Sequence, residues 1–218
     1  MAFGRTRRRR AIVVPTERFH APASVVFFVA ALFISGVAFG SAAVKMLSPD
    51  QRAEMVAYVE AFVRGVARYT DPIPRGNVLQ ASLSNNLKTA IALWFCGVTV
   101  VGLPVTMAIV FTRGFVLGFA VAFLVDELGA SGVLFSASSV IPHNLIAVPA
   151  ILGLGVLSVS FTAWLVGSKR RGRGIDFLGE FSRYSLLSAV LLLALVVSSG
   201  IEAFVTPLLI KVVGLVVR

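Results

Sequence analysis

Apolar residues in this chain come in long blocks, and the residues that separate the blocks carry as much information as the blocks do. The clearest block runs from Ile141 to Gly167, IPHNLIAVPAILGLGVLSVSFTAWLVG. After its opening Pro-His-Asn it holds no charge until Lys169, Arg170, Arg171 and Arg173. A helix needs about 20 mostly apolar residues to cross the hydrocarbon of a bilayer, so the pattern predicts a span over 144–167 with a basic stop. Pro142 suits a first helical position, while His143 and Asn144 place a titratable ring and an amide at the helix entrance. Similar blocks predict spans over 23–44, 87–111 and 186–213. Phe115 to Val125 is shorter and ends at Asp126 and Glu127. Stretched to 114–128 it makes a short third span; in the other reading it is half of a broken helix that resumes at Val133–Val140 after a GASG turn. Irregular backbone at membrane depth is tolerated only where protein buries it or it lines a cavity.

Between the first two blocks the pattern changes. Ser48-Pro49-Asp50-Gln51 reads as a helix start, with serine as cap, proline at the first position and glutamine placed to complete a capping box. The helix it opens, 49–69, carries an apolar stripe of Met55, Val59, Phe62 and Val66, with Arg52, Glu60, Arg64 and Arg68 largely off it. Glu60 and Arg64 also have i,i+4 spacing. It is too charged to span, so it either lies in the outer interface or on a partner, or it covers its own bundle. Thr70 to Asn77 is a proline-broken turn. A second amphipathic segment, Ile175–Arg183, precedes the last span.

Composition settles the class. Hydrophobic residues make up 57% of the 218 and charged residues 14%, against roughly 25% charged in a soluble domain. The chain is therefore expected to be all-α: a polytopic transmembrane helical bundle of about five spans, the third short or broken, plus one extracytoplasmic amphipathic helix. Residues 1–22 form a basic N-terminal segment ahead of a single membrane domain over 23–218. The twin arginines in MAFGRTRRRR also fit a targeting peptide, but the apolar run behind them exceeds the usual 7–15 residues. A net charge of +10 would suit a nucleic-acid binder if it were spread over one face. It is packed instead into the N-terminus and the loop after Ser168, beside apolar runs. That distribution predicts a cell-membrane protein with a cytoplasmic N-terminus, an external C-terminus and anionic lipids at the basic segments. The turn at Arg113 is read as cytoplasmic as well. The lone Cys96 forms no intramolecular disulfide.

The candidate chemistry is sparse. His20 and His143 are the only histidines, too few with one acid to make a zinc site of three or four ligands. Ser136, Ser138 and Ser139 read as caps and interhelical bonds, and no glycine-rich phosphate loop follows a strand. The expectation is no enzyme, no cofactor, no metal and no nucleic-acid partner. Glu202, deep in the last span, is the costliest residue in the chain, and an acid there marks an internal partner or a path. Counted along the helices, its depth approaches that of His143, so a cluster of Glu202 with His143, Asn144 or Thr206 is one reading. The other leaves Glu202 snorkelling or protonated against Thr206 and a carbonyl freed by Pro207. Gly36/Gly40 and Gly114/Gly118 are small-xxx-small pairs suited to close helix contact, within the chain or between copies.

Several of these motifs together resemble the stage II sporulation protein M family. They are Asn85-Asn86 before the second span with Gly97 and Gly102 inside it, Thr112-Arg113-Gly114…Gly118, Ile141-Pro142-His143-Asn144 with Pro149-Ala150, and Glu202…Thr206-Pro207. Arg113 stands where the family usually has asparagine, and Ala147 where it commonly has glutamate. The resemblance implies a non-enzymatic membrane scaffold that organises envelope-remodelling partners. Some relatives also look like membrane subunits of export systems, which leaves a permease-like subunit as the alternative. A polar cavity joining His143 and Glu202 to either side would separate the two.

Overall fold

The computed structural model describes residues 21–68, 75–170 and 177–210, without the side chains of 62–68, 75, 169 and 170. The basic N-terminus with His20, much of the stripe on the amphipathic helix, the basic loop and the C-terminal end lie outside the described residues. What remains is a helical bundle: α1 Ala23–Ala43, α2 Pro49–Arg68, α3 Arg75–Val98, α4 Gly102–Ser139, α5 Ile141–Arg170 and α6 Phe177–Phe204. A 3₁₀ turn, Val44–Met46, closes α1. Among the described residues, four stretches are long and apolar enough to cross a membrane: Ala23–Met46, Gly102–Ser139, Ile141–Ser168 and Phe177–Ile210. The polar residues Asn85, Asn86 and Lys88 dilute α3, which nonetheless packs inside the bundle against α4, α5 and α6.

Two expected spans are redrawn. The block 87–111 is not one helix: α3 begins twelve residues earlier, at Arg75, and ends at Val98. A tight turn at Thr99–Val101 then reverses the chain into α4. Thr112-Arg113-Gly114 is consequently no turn but the middle of α4, and 114–128 continues a helix long and apolar enough to cross a membrane. The real break in α4 is Gly129, at φ 56° and ψ −130°, a conformation open to glycine. Past it, residues 130–139 fold back so closely that a Cβ on Gly132 would fall onto the Leu124 carbonyl. The amphipathic segment at 175–183 likewise does not stand apart, because α6 runs unbroken through it from Phe177.

The break at 99–101 leaves carbonyls at the end of α3 that need partners. The Cys96 carbonyl accepts from the Thr99 N–H, at 3.2 Å. The Gly97 carbonyl accepts from Thr162 Oγ1 of α5, at 2.7 Å. Tyr184 of α6, 1% exposed, donates to the Trp94 carbonyl at 2.8 Å while its ring stacks on Phe161 at 4.5 Å. Thr106 and Ser158 share a further bond at 3.0 Å. These hydroxyls knot α3, α4, α5 and α6 together at one end of the bundle.

At the other end sits α2. Its capping box closes in both directions, Gln51 N–H to Ser48 Oγ at 3.3 Å and Ser48 N–H to Gln51 Oε1 at 3.0 Å. Arg52 reaches across to the end of the α4 crossing, 2.8 Å from Asp126 and 2.5 Å from Glu127. The hydrogen bond to Asp126 leads in holding its guanidinium above the usual value, against some desolvation.

Candidate functional site

The helix directions bring the polar residues of four helices to one place. The Gly36/Gly40 and Gly114/Gly118 pairs fix the first of these directions. A Cβ on Gly36 or Gly40 would strike the carbonyls of Phe111 or Phe115, and one on Gly114 or Gly118 those of Phe33 or Val37. The two pairs thus face each other, and α1 and α4 run parallel in backbone contact. Hydrogen bonds fix α3 against α6 as antiparallel: Ser82 pairs with Glu202, Asn86 with Ser199 and Trp94 with Ser185. Between these two pairs of helices lies a cavity of about 740 Å³.

Asn85 and Asn86 of α3, Arg113 of α4, His143 and Asn144 of α5 and Glu202 of α6 all line it. Ala147 lines it too. Of the other singled-out positions, Gly114 and Gly118 face α1, and Pro142, Thr206 and Pro207 stand outside the lining. Thr206 is buried and donates to the Ile201 carbonyl at 3.5 Å. Among the described residues, no group of three His, Cys, Asp or Glu stands close enough to hold a metal.

Within the cavity the charged groups are separated. Glu202 Oε2 accepts from Ser82 at 2.5 Å, and Arg113 donates to Thr89 Oγ1. Glu202 lines the same recess as Arg113 and His143, yet among the described residues it makes a salt bridge with neither. His143 Nε2 meets the Asn144 amide at 3.0 Å, and that amide also donates to the Val140 carbonyl at 2.8 Å. The Ser139 backbone faces the imidazole, but the buried Nδ1 has no well-formed hydrogen bond among the described residues. The backbone carbonyl of His143 is tied to α6 by Ser198 Oγ at 2.8 Å. Glu202 therefore has a serine of α3 as its bonded partner, where sequence reasoning considered His143, Asn144 and Thr206. Ser82 and Thr89 carry no signal of their own in the sequence. The one available clue is their spacing along α3, where Ser82, Asn85, Asn86 and Thr89 stand at i, i+3, i+4 and i+7 on one face.

A bundle with several helices long and apolar enough to cross a membrane defines a polytopic helical membrane protein, here with a cation, an acid and an imidazole on the wall of one recess. The chain belongs to the stage II sporulation protein M family, which it matches over residues 29–207. That stretch contains every residue of the cavity wall, from Phe33 to Glu202. Comparison with curated proteins finds no match, and neither does comparison with solved structures.

Proposed function

We propose that this chain is a permease-like membrane subunit of the cell membrane, with its N-terminus cytoplasmic and its C-terminus outside, and that the cavity is where its cargo passes. The observation that carries the reading is the gathering of Arg113, His143 and Glu202 around one recess. Ionisable groups inside a bilayer are costly and usually face a water-filled path or each other, and these three are not locked into mutual salt bridges. The role is non-enzymatic; energy for transport comes from a separate ATPase or from an ion gradient.

The test is accessibility. Val148 lines the cavity from α5 and is half-buried, so a Val148→Cys protein without Cys96 reports whether water reaches the recess. A membrane-impermeant maleimide reaching this position from each face of sealed vesicles in turn supports passage. Labelling from one face alone, under every condition of energisation, overturns it.

The scaffold reading keeps one specific support, which is α2. Among the described residues it is tied to the bundle by the Arg52 clamp, and it leaves Tyr58 77% exposed. A scaffold needs such a docking element. On that reading, substitutions at Met55 and Tyr58 abolish function while Arg113→Gln leaves it intact; the permease reading expects the reverse.

A further inference from the structure

The cavity wall is mixed, and the mixture points to a kind of occupant. Val105, Ile109, Val116 and Leu117 of α4, with Val148 and Ile151 of α5, make an apolar side. Along the same face of α4, Val105 is 45% and Val116 59% exposed, and Ala108 and Thr112 between them are exposed as well. Asn85 stands exposed across from them on α3. These residues belong to the middle of a helix long enough to cross the membrane. The recess therefore has a mouth between α3 and α4 that opens sideways into the bilayer.

Arg113 waits inside that mouth. It lies eleven residues from Gly102, about 16 Å along α4, and so near mid-depth. A guanidinium offers five donors in a fork matched to phosphate or carboxylate. Among the described residues Thr89 takes one, and no carboxylate forms a salt bridge with it. Glu202, held by Ser82, stands further toward the outer end. It repels a second negative charge there and leaves a single anionic group best placed on Arg113. A volume of about 740 Å³ suits a headgroup and the start of a chain, within the usual range of about 300–1,000 Å³ for ligand sites.

We propose that the cavity binds the oxyanion of an amphiphile, a singly anionic membrane lipid that enters between α3 and α4. Its phosphate or carboxylate rests on Arg113 and its chain follows the apolar face of α4. The inference rests on the reading of the cavity as a binding site, but not on passage through it.

Full-length protein in detergent is titrated with phosphatidylglycerol, with phosphatidylcholine of the same chains, or with inorganic phosphate, and followed by native mass spectrometry and thermal unfolding. The expected result is retention and stabilisation by phosphatidylglycerol above the other two. Arg113→Gln weakens that binding at least about tenfold, the loss expected for a charge-assisted hydrogen bond. Arg113→Lys keeps part of it, and Glu202→Gln tightens it by removing the repulsion. If Arg113→Gln fails to fold, Ala108→Trp narrows the mouth without touching a charge and lowers lipid retention. Equal retention of both lipids by the unaltered protein overturns the site, and so does unchanged binding in Arg113→Gln. Stabilisation by phosphate alone equal to that by phosphatidylglycerol assigns the anion to solution and overturns the lipid. Two-sided labelling of Val148→Cys without lipid preference leaves passage standing and removes this inference. Lipid preference with one-sided labelling does the opposite.

Discussion

At the scale of single residues the sharpest constraint is the absence of a side chain. Gly40 and Gly118 have no room for even one carbon, because the atoms in the way are carbonyls of the facing helix. Gly40→Leu or Gly118→Leu must push α1 off α4, and a cost of about 3 kcal/mol or more follows. Unaltered thermal unfolding of both variants in detergent would refute this. The i,i+4 spacing of each glycine pair was legible; that the pairs meet each other was not, since spacing carries no partner. Glu202 is similar. Its cost in an apolar run announced a site, but its bonded partner Ser82 is an ordinary serine 120 residues away in the sequence. A double-mutant cycle should show Glu202 coupled to Ser82 by about 1.5–3 kcal/mol, the value of a hydrogen bond to a charged group. Coupling to His143 should be smaller, as the two share a cavity but no bond. The reverse order would place the carboxylate against the imidazole instead.

Among the elements, the lesson is where helices stop. Thr112-Arg113-Gly114 looked like a boundary because polarity and glycine interrupt an apolar run. The true boundary, Thr99-Val100-Val101, is nearly all apolar, with Val101 80% exposed. Hydropathy could not reveal it, because its stability comes from Thr162, reached across sixty-five residues of sequence. The start of α2 shows the opposite case, since its capping bonds are local and so were readable. Its attachment was not, being made by Arg52 to acids on α4. Exposed ion pairs are each worth about 0–1 kcal/mol and weaken with salt. Arg52→Gln should thus hasten amide exchange over residues 53–61 and leave α4 and α5 unchanged, with high salt giving the same effect in the unaltered protein. Exchange as slow as before would mean that apolar contact, not the clamp, holds α2.

For the whole molecule the directions of the helices agree with one threading. α1 and α4 run together, α3 and α5 run against them, and α6 rises again beside both. With the N-terminus inside, reporters at Val100 and Phe177 should read cytoplasmic, and those at Asp126 and Ile141 external. The last two share a side because residues 130–139 fold back instead of crossing. An Ile141 reporter on the cytoplasmic side would make that segment a span and reverse α5 and α6.

The hydroxyl knot at the Gly97 end of the bundle also sets the mechanics of α3. Gly97 and Trp94 are pinned by Thr162 and Tyr184, whereas Asn86 and Ser82 stand about 16 and 22 Å up the helix from Gly97. A lever fixed at its foot magnifies angle into travel. Rocking α3 by about 5° shifts Asn86 by about 1.4 Å and Ser82 by about 2 Å. The Ser82–Glu202 bond therefore parts before the Asn86–Ser199 bond does. The carboxylate loses its tie to α3 at the first few degrees of tilt, while the Asn86–Ser199 bond still holds the two helices together.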